Sequence, residues 1–149
     1  MLDKVVLDSS AIVALFFKER YSNWVEKIVV KAGELLTVDL AIAEVTNAAW
    51  KRVFIFSEPQ EVVRDALENA IGFILNVCHI FSSAELYKDA FEDSLRLEIP
   101  IYDTLFLSLA RRLKCSLVTL DKKFIRKICV TKYAQFVIHP YSAKELKQD

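Results

Sequence analysis

A chain of 149 residues with formal net charge +0, 54% hydrophobic and 27% charged residues, carries enough apolar material for one buried core. Two glycines and three prolines leave little for linkers, and this apolar content excludes a disordered chain. The longest uncharged run, Asn69–Ala84, has 16 residues broken by Asn69, Asn76, His79, Ser82 and Ser83, too short and too polar for a hydrocarbon core of ~30 Å. The N-terminus enters a strand-like segment without a secretory pattern. Cys78, Cys115 and Cys129 show no CxxC spacing, which argues for a reducing cytoplasm and against a zinc site or a disulfide framework. The expectation is a single cytoplasmic domain over residues 1–149, with no membrane segment.

In chain order, Val5-Val6-Leu7 reads as a buried strand ended by Asp8, and Ser9 or Ser10 is placed to cap an apolar helix over Ala11 to Phe17. A helix from Tyr21 to Lys31 stops at Gly33, a second strand covers Leu35 to Val38, and Asp39 caps a helix from Leu40 to Val53. Glu58-Pro59 opens a helix whose stripe Val63, Ala66, Leu67, Ala70, Ile71 and Ile74 faces a core. Val77 to Phe81 is a third strand, and Ser82-Ser83 caps a helix to Leu97. Asp103 caps a helix with Phe106, Leu109, Ala110 and Leu113 on one face. A strand over Leu117 to Leu120, a short helix over Lys122 to Lys127 and a strand over Phe136 to Ile138 complete the reading. Short apolar strands alternating with helices predict an α/β sandwich with a mainly parallel sheet, whose ligands bind beyond the carboxyl ends of the strands.

That rule gives meaning to four acids in apolar surroundings. Asp8 and Asp121 each follow a strand, Glu44 lies in the apolar first half of a helix, and Asp103 follows Ile99-Pro100-Ile101-Tyr102. Taken singly, each has a structural explanation: Asp8, Asp103 and Asp121 as helix caps, Glu44 as a partner of Lys51. Together they would repel one another unless a cation neutralises them. Oxygen ligands without histidine or cysteine suit Mg²⁺ or Mn²⁺, which favour carboxylates and phosphate oxygens and point to phosphodiester chemistry. Ser9, Asn47, Thr104 and Thr119 are placed to orient carboxylates or waters, Asn47 one turn beyond Glu44. From Arg111 to Lys132 there are eight basic residues against one acid, Asp121. Arg111, Lys122, Lys123 and Arg126 from this stretch, with Lys51 and Arg52, are the residues expected to hold a polyanion.

At these positions the sequence resembles the PIN-domain family of metal-dependent ribonucleases, in particular the VapC-like toxins. The matching stretches are Val6-Leu7-Asp8-Ser9-Ser10-Ala11, Ala43-Glu44-Val45-Thr46-Asn47, Tyr102 to Ala110, and Leu117-Val118-Thr119-Leu120-Asp121-Lys122-Lys123-Phe124. The resemblance implies a three-layer α/β/α fold and endonucleolytic cleavage of single-stranded RNA by a metal-activated water. It puts Asp8, Glu44, Asp103 and Asp121 in the catalytic, metal-binding quartet, and Asn47 and Thr119 also match the family. It further implies a homodimer silenced by a cognate antitoxin. Related PIN domains also serve in RNA processing and decay, and a binding module without turnover is the competing class. A purely structural α/β subunit would require four coincidental acids.

Other pairings carry less. Cys78 and His79 are neighbours on a strand, point to opposite faces and are expected to pack in the core. His139 is expected at a strand end. Trp24, Trp50 and the phenylalanines suit a core or a dimer surface, and Tyr102 is the aromatic nearest the expected mouth of the site. Two glycines exclude a dinucleotide-binding loop, and Asp8-Ser9-Ser10 lacks the second aspartate of a phosphoaspartate hydrolase.

Overall fold

The computed structural model describes residues 3–148, so Met1 and Leu2, on which part of the N-terminal expectation rests, lie outside it, as does Asp149. Strands β1 (Lys4–Leu7), β2 (Glu34–Val38), β3 (His79–Phe81), β4 (Ser116–Val118) and β5 (Val137–Ile138) form one sheet in the order β3-β2-β1-β4-β5. Every pairing is parallel, with Val5 opposite Leu35 on one side and Ser116 on the other. A strand covered on both faces must be apolar throughout, which is why Val5, Val6 and Leu7 show no polar alternation and are all fully buried.

Helices α1 (Ser9–Phe16), α2 (Ser22–Lys31), α3 (Leu40–Phe54) and α4 (Gln60–Asn76) connect β1 to β2 and β2 to β3. Helices α5 (Ser83–Leu97) and α6 (Ile101–Leu113) carry the chain back to β4, and α7 (Lys122–Ile128) leads through a 3₁₀ turn to β5. Because the connections run outward in both directions from β1 and β4, right-handed crossovers put α1–α4 and α5–α6 on opposite faces. This is the expected three-layer sandwich. The α4 stripe is as read, with Val63, Ala70 and Ile74 buried. Helix α6 is buried more completely than its stripe suggests, from Thr104 to Ala110 without interruption, because it lies between α5 and the sheet. Among the described residues no helix is long and apolar enough to cross a membrane.

Helix ends depart from the sequence reading in informative ways. Asp8 itself caps α1, accepting the Ala11 amide at 3.0 Å, and Ser9 and Ser10 are already helical. Asp39 stands at the cap of α3 with helical backbone, but its side chain makes no capping bond to that helix; its carboxylate instead receives the amide and hydroxyl of Ser83, tying α3 to α5. Pro100 stands at the cap of α6 and Ile101 begins it, so Asp103 sits inside its first turn. Pro59 stands at the cap of α4, one place outside the helix. Gly33 is not a left-handed stop, since no glycine here has positive φ; a Cβ there would meet the Asp3 carbonyl oxygen at 2.9 Å, so glycine permits the close approach that starts the β1–β2 ladder. Cys78 is buried as expected, but His79 is exposed beside Glu34, because β3 is an edge strand and its first residue points to solvent. A last short helix, α8 (Ala143–Leu146), was not evident from periodicity and is fixed by a capping box between Ser142 and Glu145.

Candidate active site

The strand order reverses between β1 and β4, and a cleft of about 780 Å³ opens beyond the carboxyl ends of these two strands. Asp8, at the end of β1, and Asp121, just past β4, enter it from the sheet; Glu44 reaches it from α3 and Asp103 from α6. Val13, Phe106 and Leu120 supply apolar wall between them. Four elements far apart in sequence thus converge at the switch point of the sheet.

The carboxylates are held individually. Asp8 accepts the Ser10 hydroxyl at 2.6 Å in addition to the Ala11 amide, and Glu44 accepts the Ser9 hydroxyl at 2.6 Å. Asp121 caps α7 through the Phe124 amide at 3.1 Å, while its own amide donates to the Thr119 hydroxyl at 3.2 Å. Burial pushes the Asp8 carboxyl up to about 6, with Asp121 adding to the rise and the Ser10 and Thr119 hydroxyls opposing it. Asp103 is raised to about 7, first by burial and then by Asp121, Asp8 and Glu44, with Lys123 pulling the other way. Glu44 is raised too, by burial and by Asp121. These acids share one field of negative charge, as expected of a site built to receive positive charge. The donor set is oxygen only, which fits a hard divalent cation. Among the described residues, however, no three acidic, imidazole or thiol groups stand close enough to cage an ion in their present rotamers.

The predicted orienting residues divide. Thr119 is fully buried and Asn47 lines the cleft. Thr104 turns away, bonding Ser94 at 2.7 Å and the Ile101 carbonyl at 3.1 Å, because as the fourth residue of α6 its side chain faces α5. Ser10, read from sequence only as a cap, ties Asp8 to the backbone just before Asp121: it donates to Asp8 and accepts the Leu120 amide at 2.9 Å.

The basic residues divide by type. Lys51 and Lys122 line the cleft, and Lys123 is near enough to act on Asp103; none of the three makes an ion pair among the described residues. The arginines have structural partners. Arg52 bridges Glu19 at 2.6 Å and Glu58 at 3.2 Å over the Phe17 ring. Arg111 pairs with the buried Asp93, and Arg126 holds the Leu146 and Gln148 carbonyls. Of the six basic residues expected to hold a polyanion, the lysines thus stand at or near the cleft while the arginines are engaged within the fold. Tyr102 is exposed but does not line the cleft, whereas Tyr21 and Tyr141, which the sequence did not single out, do.

An all-parallel open sheet with an acid-lined cleft at its switch point, whose lining holds neither histidine nor cysteine, defines an α/β protein with a candidate site of oxygen donors. The PIN-domain family model matches residues 5–128, and the chain belongs to that family. It is 36% identical over 124 residues to Ribonuclease VapC3 of Pyrobaculum aerophilum, a match covering 83% of this chain and 94% of that one. Its fold is similar to that of VapC20 of Mycobacterium tuberculosis, described as a sarcin–ricin-loop-cleaving toxin, with a TM-score of 0.65, 15% identity and coverage of 82% of this chain and 93% of that one. It is also similar to a chain of a toxin–antitoxin complex from Klebsiella pneumoniae, with a TM-score of 0.61, 16% identity and coverage of 93% and 98%.

Proposed function

We propose that this PIN domain is a divalent-metal-dependent endoribonuclease cutting single-stranded RNA, and that it is the toxin of a toxin–antitoxin pair in the cytoplasm. The observation that carries the reading is the convergence of Asp8, Glu44, Asp103 and Asp121 on one cleft, in a chain 36% identical to a VapC ribonuclease. Asp8, Glu44 and Asp103 would hold Mg²⁺ or Mn²⁺, with Asp121 closing a second site or holding a water. Such an ion, when bound, acidifies a water and neutralises charge on the phosphate. The chain's own contribution is to fix the acids: Ser10 and the Ala11 amide set Asp8, Ser9 sets Glu44, and the Phe124 amide sets Asp121. Lys51, Lys122 and Lys123 draw in the phosphate backbone, while Val13, Phe106 and Leu120 keep the floor apolar and strengthen every electrostatic contact there.

Two surface features support the partner reading. The end of α3 exposes Trp50, Phe54, Ile55 and Phe56, next to a groove lined by Val13, Ala48, Lys51 and Phe56 that continues into the cleft, a surface suited to an antitoxin segment. Tyr87, Phe91 and Leu95 form an exposed i, i+4, i+8 stripe on α5, suited to a second copy of the chain. The deciding experiment is cleavage of a mixed single-stranded RNA panel with Mn²⁺, with Mg²⁺ and with EDTA. Metal-dependent cutting that disappears in Asp8→Asn supports the reading; RNA binding without cutting under every metal would move the protein to the class of binding modules.

A further inference from the structure

The family match ends at residue 128, yet one wall of the cleft comes from the chain beyond it. Tyr141 lines the cleft from the segment between β5 and α8, and its hydroxyl donates to the Leu120 carbonyl at 2.6 Å, at the peptide that leads into Asp121. Its ring carries the Lys122 ammonium 5.1 Å from the centroid. Lys122 makes no hydrogen bond or ion pair among the described residues; the Tyr141 ring face is its direct contact at the mouth of the cleft, with the Glu145 carboxylate attracting it from farther off. Tyr141 is in turn fixed edge-on by Tyr21 at 5.2 Å, whose hydroxyl donates to Glu145 at 3.0 Å, and Arg20 pairs with the same carboxylate at 3.1 Å. Residues 141–145 thus brace the start of α2 to the start of α7 across the mouth.

We infer that Tyr141 is a substrate-positioning residue that holds Lys122 as a phosphate contact for the RNA strand, and that the C-terminal segment is part of the substrate grip. This rests on the nuclease reading for its substrate. A cation resting on an aromatic face keeps its charge and most of its donors, so it stays available to a phosphate oxygen while its side-chain freedom is already reduced. Loss of the ring therefore weakens RNA capture and leaves the acids in place.

The test compares Tyr141→Phe, Tyr141→Leu, Lys122→Met and the Leu/Met double variant. Steady-state cleavage with Mn²⁺ gives kcat and KM, and binding of a labelled mixed-sequence single-stranded RNA in EDTA at several salt concentrations gives the salt slope. Tyr141→Leu and Lys122→Met are each expected to raise KM roughly two- to five-fold with kcat retained, the size of an exposed cation–π contact. Lys122→Met also flattens the salt slope by about 0.7, the share of one single-strand phosphate, and Tyr141→Leu flattens it by at most that amount. The double variant is expected to match either single one, and Tyr141→Phe, which keeps the ring but loses the bond to the Leu120 carbonyl, to stay closer to the wild-type KM than Tyr141→Leu does. Additive losses in the double variant, a Phe variant as poor as the Leu variant, or a fall in kcat at constant KM would each overturn the inference. Should Tyr141→Leu fail to fold, Lys122→Met decides: an unchanged KM and slope removes Lys122 from the grip. A wild-type protein that binds RNA without cutting it strikes the nuclease reading alone, because the salt slopes still report on Tyr141.

Discussion

Asp93 and Asp8 are both buried aspartates, and the difference between their surroundings separates structure from function in this molecule. Asp93, on α5, is fully buried but meets Arg111, Arg96 at 3.5 Å, the Ser108 hydroxyl at 3.0 Å and the Tyr133 hydroxyl at 3.3 Å, a complete set of donors. It joins α5, α6 and the turn before β5. Asp8 is 7% exposed and meets hydroxyls and one amide in the field of Asp121, with no cation within ion-pair distance among the described residues. A buried carboxylate with its countercharge built in is a joint; one surrounded by further carboxylates has a place left for a cation from outside.

Substitutions sharpen the contrast. Asp8→Asn is expected to bring RNA cleavage to background while the melting temperature holds or rises, since asparagine can still cap α1 and no longer carries a buried charge. Cleavage assays beside thermal melts check this, and full activity in a folded variant would remove Asp8 from the chemistry. Asp93→Ala should do the reverse, costing roughly 3 kcal/mol of stability by stranding Arg111 and the Ser108 and Tyr133 hydroxyls, with kcat per folded molecule preserved. Urea unfolding at matched activity would show it.

The lysine–arginine division is the next point to press. Replacing Lys51, Lys122 and Lys123 by alanine should weaken RNA binding at low salt and reduce the slope of log affinity against log salt by about two. Arg52→Ala and Arg111→Ala should lower the melting temperature and leave that slope alone. A slope change in the arginine variants would restore them to the binding face.

The raised acids also make stability depend on pH. For a carboxyl whose folded value lies above its unfolded value near 3.9, folding favours the proton. Its contribution is full below the unfolded value and is lost as pH rises through the folded value, about 6 for Asp8 and about 7 for Asp103. In EDTA, the wild-type melting temperature should therefore fall relative to Asp8→Asn or Asp103→Asn between about pH 4 and 7. Adding Mn²⁺ at pH 8 should raise the wild type and leave the Asp8→Asn variant little changed. Parallel melting curves across that range would contradict the shared field of the acids. The smallest effect belongs to Thr104→Val, which removes hydroxyl bonds to Ser94 and Ile101 and should cost about 1 kcal/mol with no change in cleavage.

The parallel sheet, its layers and the four acids were legible because each leaves a local mark: an unbroken apolar triplet such as Val5-Val6-Leu7, or a charge inside an apolar run such as Glu44. What escaped depends on contacts between distant segments. Nothing near Asp93 in sequence distinguishes it from Glu92, and only the fold brings Arg111 and Tyr133 to it. The same holds for Asp39, which looks like a cap until Ser83 arrives, and for Tyr141, whose partners Leu120 and Lys122 lie on another element. Charge runs misled for a related reason: a count of lysines and arginines cannot tell which are already paired.

The position of β1 has a consequence for synthesis. It precedes the other strands in the chain and lies at the centre of the sheet, but its neighbour β4 follows more than a hundred residues later, with Val5 opposite Ser116. A contact of such sequence separation forms late and slowly. On the ribosome, the half-chain carrying Asp8 and Glu44 has neither Asp121 nor the Tyr141 wall beside it. The cleft comes into being only once the segment carrying Tyr141 has emerged, so a nascent chain that stops short of Asp103 carries Asp8 and Glu44 without the site.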